Sequence, residues 1–138
     1  MRQCTISLVL AAFSIAGIAA ADEPPKDSFD KVKENLAKKQ AVIVDVREQA
    51  EWDRGHLQDA QFFPLSELKR AATDPAVKEK LAKTLPKDRI VYCHCAKGVR
   101  ALMAGNILKP LGYDVRPLAA GYDRLREAGF AAAKQDRP

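Results

Sequence analysis

Cys95-Ala96-Lys97-Gly98-Val99-Arg100 places a thiol five residues before a guanidinium, with a glycine at mid-loop. Cysteine attacks as the thiolate, a form favoured by neighbouring cations and by converging backbone N–H groups. Just upstream, Ile90-Val91-Tyr92-Cys93-His94 reads as a buried strand. Downstream, Gly98 opens a helical segment carrying Leu102, Met103, Ile107 and Leu108. The thiol therefore lies between a strand end and a helix N-terminus, whose partial positive charge favours an anion by ~0.3–1 kcal/mol when exposed. Gly98 supplies the tight turn, or a backbone angle that other residues resist. These features separate Cys95 from the small buried hydrophobe that an isolated free cysteine usually is.

The neighbouring residues read differently. Cys93 falls inside the strand, where a core thiol is the simpler explanation. Residues two apart in a strand share a face but lie ~6.6 Å apart, near the upper limit for a disulfide. A Cys93–Cys95 bond needs the strand end to deform and stays a minor alternative. His94 alternates to the opposite face and reads as packed. Cys93, His94, Cys95 and His56 lack the spacing of a zinc site, so neither metal nor cofactor is expected.

The elements around the loop alternate. Ser28 caps a helix with Phe29, Val32 and Leu36 on one face, ending near Lys39. Ala41 to Val46 is a β-branched run suited to a strand buried on both sides. A helix from Glu48 to Arg54 stops at Gly55, and Gln61 to Phe63 forms a short strand closed by Pro64. Ser66 to Arg70 and Pro75 to Leu85 are helical, the second capped by Asp74. Val115 to Leu118 is the last strand, and Tyr122 to Ala128 the last helix, ended by Gly129. This pattern predicts a single α/β domain over residues 28–138, with a mostly parallel sheet of four to five strands and helices on both faces. In such sheets ligands bind beyond the carboxyl ends of the strands, where the cysteine loop falls.

Residues 1–21 read as a segment to be removed. Arg2 precedes an uncharged run from Ile6 to Ala20, and Ala19-Ala20-Ala21 fits a signal-peptidase site. The alternative is an uncleaved anchor, but the run is short of the ~20 apolar residues that span a bilayer. Export to a periplasm or the exterior is expected, with no stable membrane span after cleavage and residues 22–27 as a linker. Loss of Arg2 leaves 22 basic residues against 18 acidic ones, a net charge near +4. Those charges are interspersed, so solvated helix faces explain them better than a nucleic-acid stripe. Aromatic residues, at 7% with one Trp, give little for base stacking. The length of 138 residues allows one domain, and three cysteines are too few for a disulfide framework.

Taken in order, these pieces resemble the rhodanese-like sulfurtransferases in their small single-domain form. The resemblance runs from about Ala41 to Gly129. It rests on Val44-Asp45-Val46-Arg47-Glu48, Glu51-Trp52, Gly55-His56-Leu57 with Ala60 and Pro64, the loop Cys95-x-x-Gly98-x-Arg100 after Val91-Tyr92, Leu111-Gly112-Tyr113, and Leu118-x-x-Gly121. By resemblance, Cys95 carries the transferred sulfur as a persulfide, cradled by Ala96, Lys97, Gly98, Val99 and Arg100. Lys97 and Arg100 then hold an anionic donor such as thiosulfate, and cyanide or a thiol accepts the sulfur. Asp45 and Arg47 match a motif pair with a bracing role, and His56 fixes the turn after Gly55. Three positions depart from the common pattern: Ala120 stands where a glycine is frequent, Leu125 where Trp is, and Ala101 where serine follows the arginine.

Three other functions compete. A phosphatase or arsenate reductase on this fold carries five residues between Cys and Arg, and here there are four. A non-catalytic binding module of the same family is compatible with the fold, although Cys95 is present. Thiol–disulfide exchange requires a reversible Cys93–Cys95 bond.

Overall fold

A computed structural model describes residues 26–135. The export reading of residues 1–21, and the linker up to residue 25, lie outside the described residues. The chain alternates α1 (Phe29–Ala37), β1 (Ala41–Asp45), α2 (Gln49–Arg54), β2 (Ala60–Phe62), α3 (Leu65–Leu68) and α4 (Pro75–Thr84). It continues through β3 (Ile90–His94), α5 (Val99–Leu108), a 3-10 turn at Lys109–Leu111, β4 (Asp114–Pro117) and α6 (Tyr122–Glu127). The four strands are all parallel, in the order β2-β1-β3-β4. Among the described residues there is no helix long and apolar enough to cross a membrane.

The sheet divides the core into two layers because side chains alternate along each strand. Val44, Val91, Cys93 and Val115 face one layer, with Leu65, Leu68, Val77, Leu81, Ala101, Ala104 and Leu108 from α3, α4 and α5. Ile43 and Tyr92 face the other, with Val32 from α1, Leu125 from α6, and Leu57. Both faces of the central strands are covered, which is why β1 and β3 are near-continuous apolar runs.

Local chemistry sets the element ends. The Ser28 hydroxyl accepts from the Lys31 amide, and the Asp74 carboxylate accepts from Ala76 and Val77, so each caps the helix it precedes. At α2 the Glu48 and Glu51 side chains form a reciprocal capping box. The boundaries match the sequence expectations to within two residues, with β3 coinciding at both ends and the largest shifts at the C-terminal ends of α1 and α3.

One packing detail differs from the apolar pattern. Leu102 and Met103, apolar residues of α5, are both exposed. The inward face of α5 is instead Ala101, Ala104, Gly105 and Leu108. Small residues let the helix sit close to β4: a Cβ on Gly105 would stand 2.5 Å from Pro117 Cγ. Gly105→Ala is therefore expected to lower stability by about 1–3 kcal/mol through overpacking. Leu102→Ala should stay within about 0.5 kcal/mol of the parent, since it alters solvent-facing surface. Urea unfolding midpoints at unchanged m distinguish the two.

Candidate active site

The strand order reverses between β1 and β3: from β1 the chain moves outward to β2, then returns to β3 on the other side. Carboxyl ends of strands at such a point leave a crevice for a ligand. Asp45 and His94, the last residues of β1 and β3, are register partners, and the Val46 amide donates to the His94 carbonyl at 3.0 Å. Cys95 is the next residue, so the reversal point and the thiol coincide.

The loop after Cys95 rests on the segment that follows β4. The Tyr122 amide donates to the Cys95 carbonyl at 2.9 Å. A Cβ on Gly121 would overlap the Ala96 carbonyl, and one on Gly98 would lie 2.6 Å from the Ala119 carbonyl oxygen. Gly98 also holds φ +93°, a left-handed angle that favours glycine. From that position its N–H donates to Cys95 Sγ at 3.0 Å. Both roles suggested for Gly98, the turn and the angle, thus apply together. Cys95 itself is only 1% exposed, whereas Ala96, Lys97 and Val99 are open to solvent.

Arg100, in the first turn of α5, is clamped. Its two terminal nitrogens donate to the two carboxylate oxygens of Glu51 at 2.6 and 2.7 Å. Glu51 also accepts the Glu48 amide at 3.0 Å. The Arg100 hydrogen bond, opposed by burial and aided by the Glu48 amide, holds the Glu51 carboxyl down at about 2. Glu48 in turn accepts from the Ser66 hydroxyl and amide. One chain of carboxylates therefore ties α2 to both α5 and α3. Sequence reading placed Glu51 in a motif but gave it no partner; the signal was the capping-box spacing Glu48-x-x-Glu51. With Arg100 so engaged, Lys97 is the loop cation that has no ion-pair partner among the described residues.

On the sheet face opposite Cys95 lies a second polar group. Asp45 and Arg47 form a buried, multiply bonded pair, with Arg47 Nη2 at 2.7 Å from Asp45 Oδ2. The same Nη2 donates to the Gly55 carbonyl at 2.7 Å, and the guanidinium lies 4.3 Å from the Tyr122 ring centre. The pair thus braces α2 and the start of α6 beneath the thiol loop. His94 faces this group, its Nε2 3.7 Å from Asp45 Oδ2, and neither ring nitrogen has a hydrogen-bond partner. Burial lowers its basicity more than Asp45 restores it, so the imidazole is held neutral. His56 stacks on Trp52 with centroids 3.6 Å apart, and its Nδ1 is 3.1 Å from the Trp52 carbonyl, which closes the end of α2.

Cys93 shares the Cys95 face of β3 but is fully buried, and both thiols are free. Burial, with a smaller contribution from Cys95, pushes the Cys93 thiol up to about 12. At neutral pH this favours the protonated thiol.

A model of the rhodanese-like domain matches residues 28–128. The chain belongs to the rhodanese-like family. Among solved structures, it superposes on the human single-domain sulfurtransferase TSTD1 with a TM-score of 0.64 and 29% identity, covering 76% of this chain and 97% of that one. The Saccharomyces cerevisiae single-domain sulfurtransferase RDL2 gives 0.62 at 24% identity, over 80% and 95% of the two chains, a likeness of fold. Among curated proteins, a probable adenylyltransferase/sulfurtransferase, MoeZ of Mycobacterium tuberculosis, is 36% identical over 73 residues, 53% of this chain. That match spans only 17% of MoeZ. The uncharacterized protein YqhL of Bacillus subtilis is 29% identical over 87 residues, 62% of this chain and 61% of its own length.

Two stability effects follow for this rhodanese-like domain. A Glu51 carboxyl lowered from 4.5 to about 2 contributes stability that is complete above pH 4.5 and lost as pH falls through about 2. Glu51→Gln should flatten the stability profile over that window, measured by chemical denaturation at stepped pH. Arg47→Ala leaves Asp45 buried and unpaired, and should cost about 3–5 kcal/mol in the same assay at neutral pH.

Proposed function

We propose that this protein is a sulfurtransferase that carries a sulfane sulfur on Cys95. The observation that supports the reading is the Gly98 amide directed at Cys95 Sγ, at the mouth of the switch point. The Cys95 thiolate attacks the outer sulfur of a donor such as thiosulfate. A sulfur–sulfur bond forms to Cys95 as the donor's own sulfur–sulfur bond breaks, and sulfite leaves with the electron pair. Cyanide or a thiolate then attacks the outer sulfur, which departs on the acceptor while Cys95 recovers its pair as thiolate. No net oxidation occurs. One hard transfer becomes two displacements on sulfur.

Lys97 is suited to an anionic donor and to sulfite as it departs, whereas Arg100 acts through Glu51 to hold the loop. The resemblance assigns Arg100 to donor binding as well, and its pairing with Glu51 adds a positioning role. The four-residue spacing to Arg100 and the Glu51 clamp both favour sulfur over a phosphate oxyanion, which a phosphatase loop grips with its arginine. Residues 1–21 read as an export signal, which would place this chemistry in a periplasm or outside the cell.

Mass spectrometry after thiosulfate treatment tests the reading. The parent protein and Cys93→Ser should each gain the mass of one sulfur atom, and Cys95→Ala none. Thiocyanate should form with cyanide, while an aryl phosphate should stay intact. Glu51→Gln should slow loading about tenfold or more, because a small displacement of the loop is costly to an aligned displacement. Failure of the parent to take up sulfur, or turnover of the phosphate alone, would overturn the assignment.

A further inference from the structure

Val99, Leu102 and Met103 are the large hydrophobic side chains most open to solvent among the described residues, at 67%, 56% and 40%. All three sit on α5, and Leu102 and Met103 follow Val99 by three and four positions, so they form one patch. Single exposed apolar residues need no explanation, but a cluster that begins at the rim of a reactive loop does. Val99 is both the first residue of α5 and part of that loop.

The surroundings of the patch carry one sign of charge. From Arg89 to Tyr113 the chain contains no Asp or Glu. Arg100 is neutralised by Glu51, but Lys97 at one end of α5 and Lys109 at the other are exposed, with no ion-pair partner among the described residues. On α3, which packs beside α5, the Glu67 carboxylate is held by Lys80. Glu48 is held by Ser66.

We propose that this face of α5 docks the sulfur acceptor, and that the acceptor is a protein thiol in apolar surroundings flanked by acidic residues. The inference rests on the sulfur-transfer reading above and names the partner of that same site. A small acceptor such as cyanide has no use for an apolar face beside the loop. A thiol on a macromolecule must be held so that its sulfur meets a cysteine that is itself almost wholly covered. The acceptor thiolate attacks the outer sulfur of the Cys95 persulfide, and the bond to Cys95 breaks. The outer sulfur leaves on the acceptor as a new persulfide, and Cys95 retains the electron pair. Three apolar side chains make an interface at the small end, below ~1,200 Å², as suits a partner that must depart after each transfer.

The test uses the purified protein loaded with thiosulfate and three acceptors: cyanide, a synthetic peptide with one Cys among Leu and Asp residues, and the same peptide with Lys in place of Asp. The acidic peptide should take sulfur about tenfold faster than the basic one, since like charge opposes docking. Leu102→Asp and Met103→Asp should each slow transfer to the acidic peptide about tenfold and leave the cyanide rate within about twofold of the parent. If loading and cyanide transfer proceed but both peptides, or parent and Leu102→Asp, behave alike, the docking proposal is wrong while the sulfur-transfer reading stands. If Cys95 never loads, both fall. A dimer of the parent that Leu102→Asp dissociates would give the face to a second copy. Binding to phosphatidylglycerol vesicles that Leu102→Asp abolishes would give it to a lipid surface. Either result overturns the acceptor assignment.

Discussion

The site depends on how closely two stretches of main chain approach each other. The loop after β3 lies against the segment after β4 at a separation that admits no Cβ on Gly121 and none on Gly98. That contact holds the Cys95 carbonyl on the Tyr122 amide and turns the Gly98 amide toward the sulfur. A loop held only by side chains would keep rotamer freedom. One seated backbone to backbone is ordered as the fold forms, so the N–H beside the sulfur is set in place by the fold itself.

Ion pairs then fix what the glycines leave free. The Glu51–Arg100 pair ties the first turn of α5 to α2, and the Asp45–Arg47 pair ties the end of β1 to the turn at Gly55. They differ in kind. Asp45 is wholly buried, so its charge is tolerable only with several hydrogen bonds, and losing either partner strands the other. Glu51 is partly solvated, and its value lies in geometry: a fork-to-fork pair sets the orientation of a guanidinium more firmly than a single bond does. The Asp45–Arg47 pair bears on stability, and the Glu51–Arg100 pair on orientation.

Most of the fold was legible because alternation of β-branched runs with capped amphipathic segments leaves few architectures open. Ser28, Asp74 and Gly98 mark element ends by local chemistry, which a linear sequence displays directly. Features that depend on distant residues were less visible. The partner of Arg100 lies 49 positions away, and only the capping-box spacing hinted that Glu51 had a fixed orientation. The apolar residues of α5 do not by themselves say which face turns inward, and Leu102 and Met103 are exposed. Gly105 and the alanines beside it decide that, by allowing the helix to approach Pro117. The stack of His56 on Trp52 was legible only as a turn after Gly55, since the ring's partner is set by the turn itself.

Cys93 inside β3 and Cys95 just past its end stand in different surroundings. Both face the same layer, two residues apart, and both are nearly excluded from solvent. Cys93 has no way to carry charge, because its surroundings are hydrocarbon and its strand pairs on both sides, to β1 and to β4. Cys95 stands one step beyond the last paired residue, where the chain leaves the ladder and its next amides are no longer committed to neighbouring strands. The Gly98 amide becomes available to the sulfur because the strand has ended and the helix has not yet begun to use it. The contrast between the two thiols follows from the position of the strand end, which leaves the Gly98 amide free to meet Cys95 Sγ.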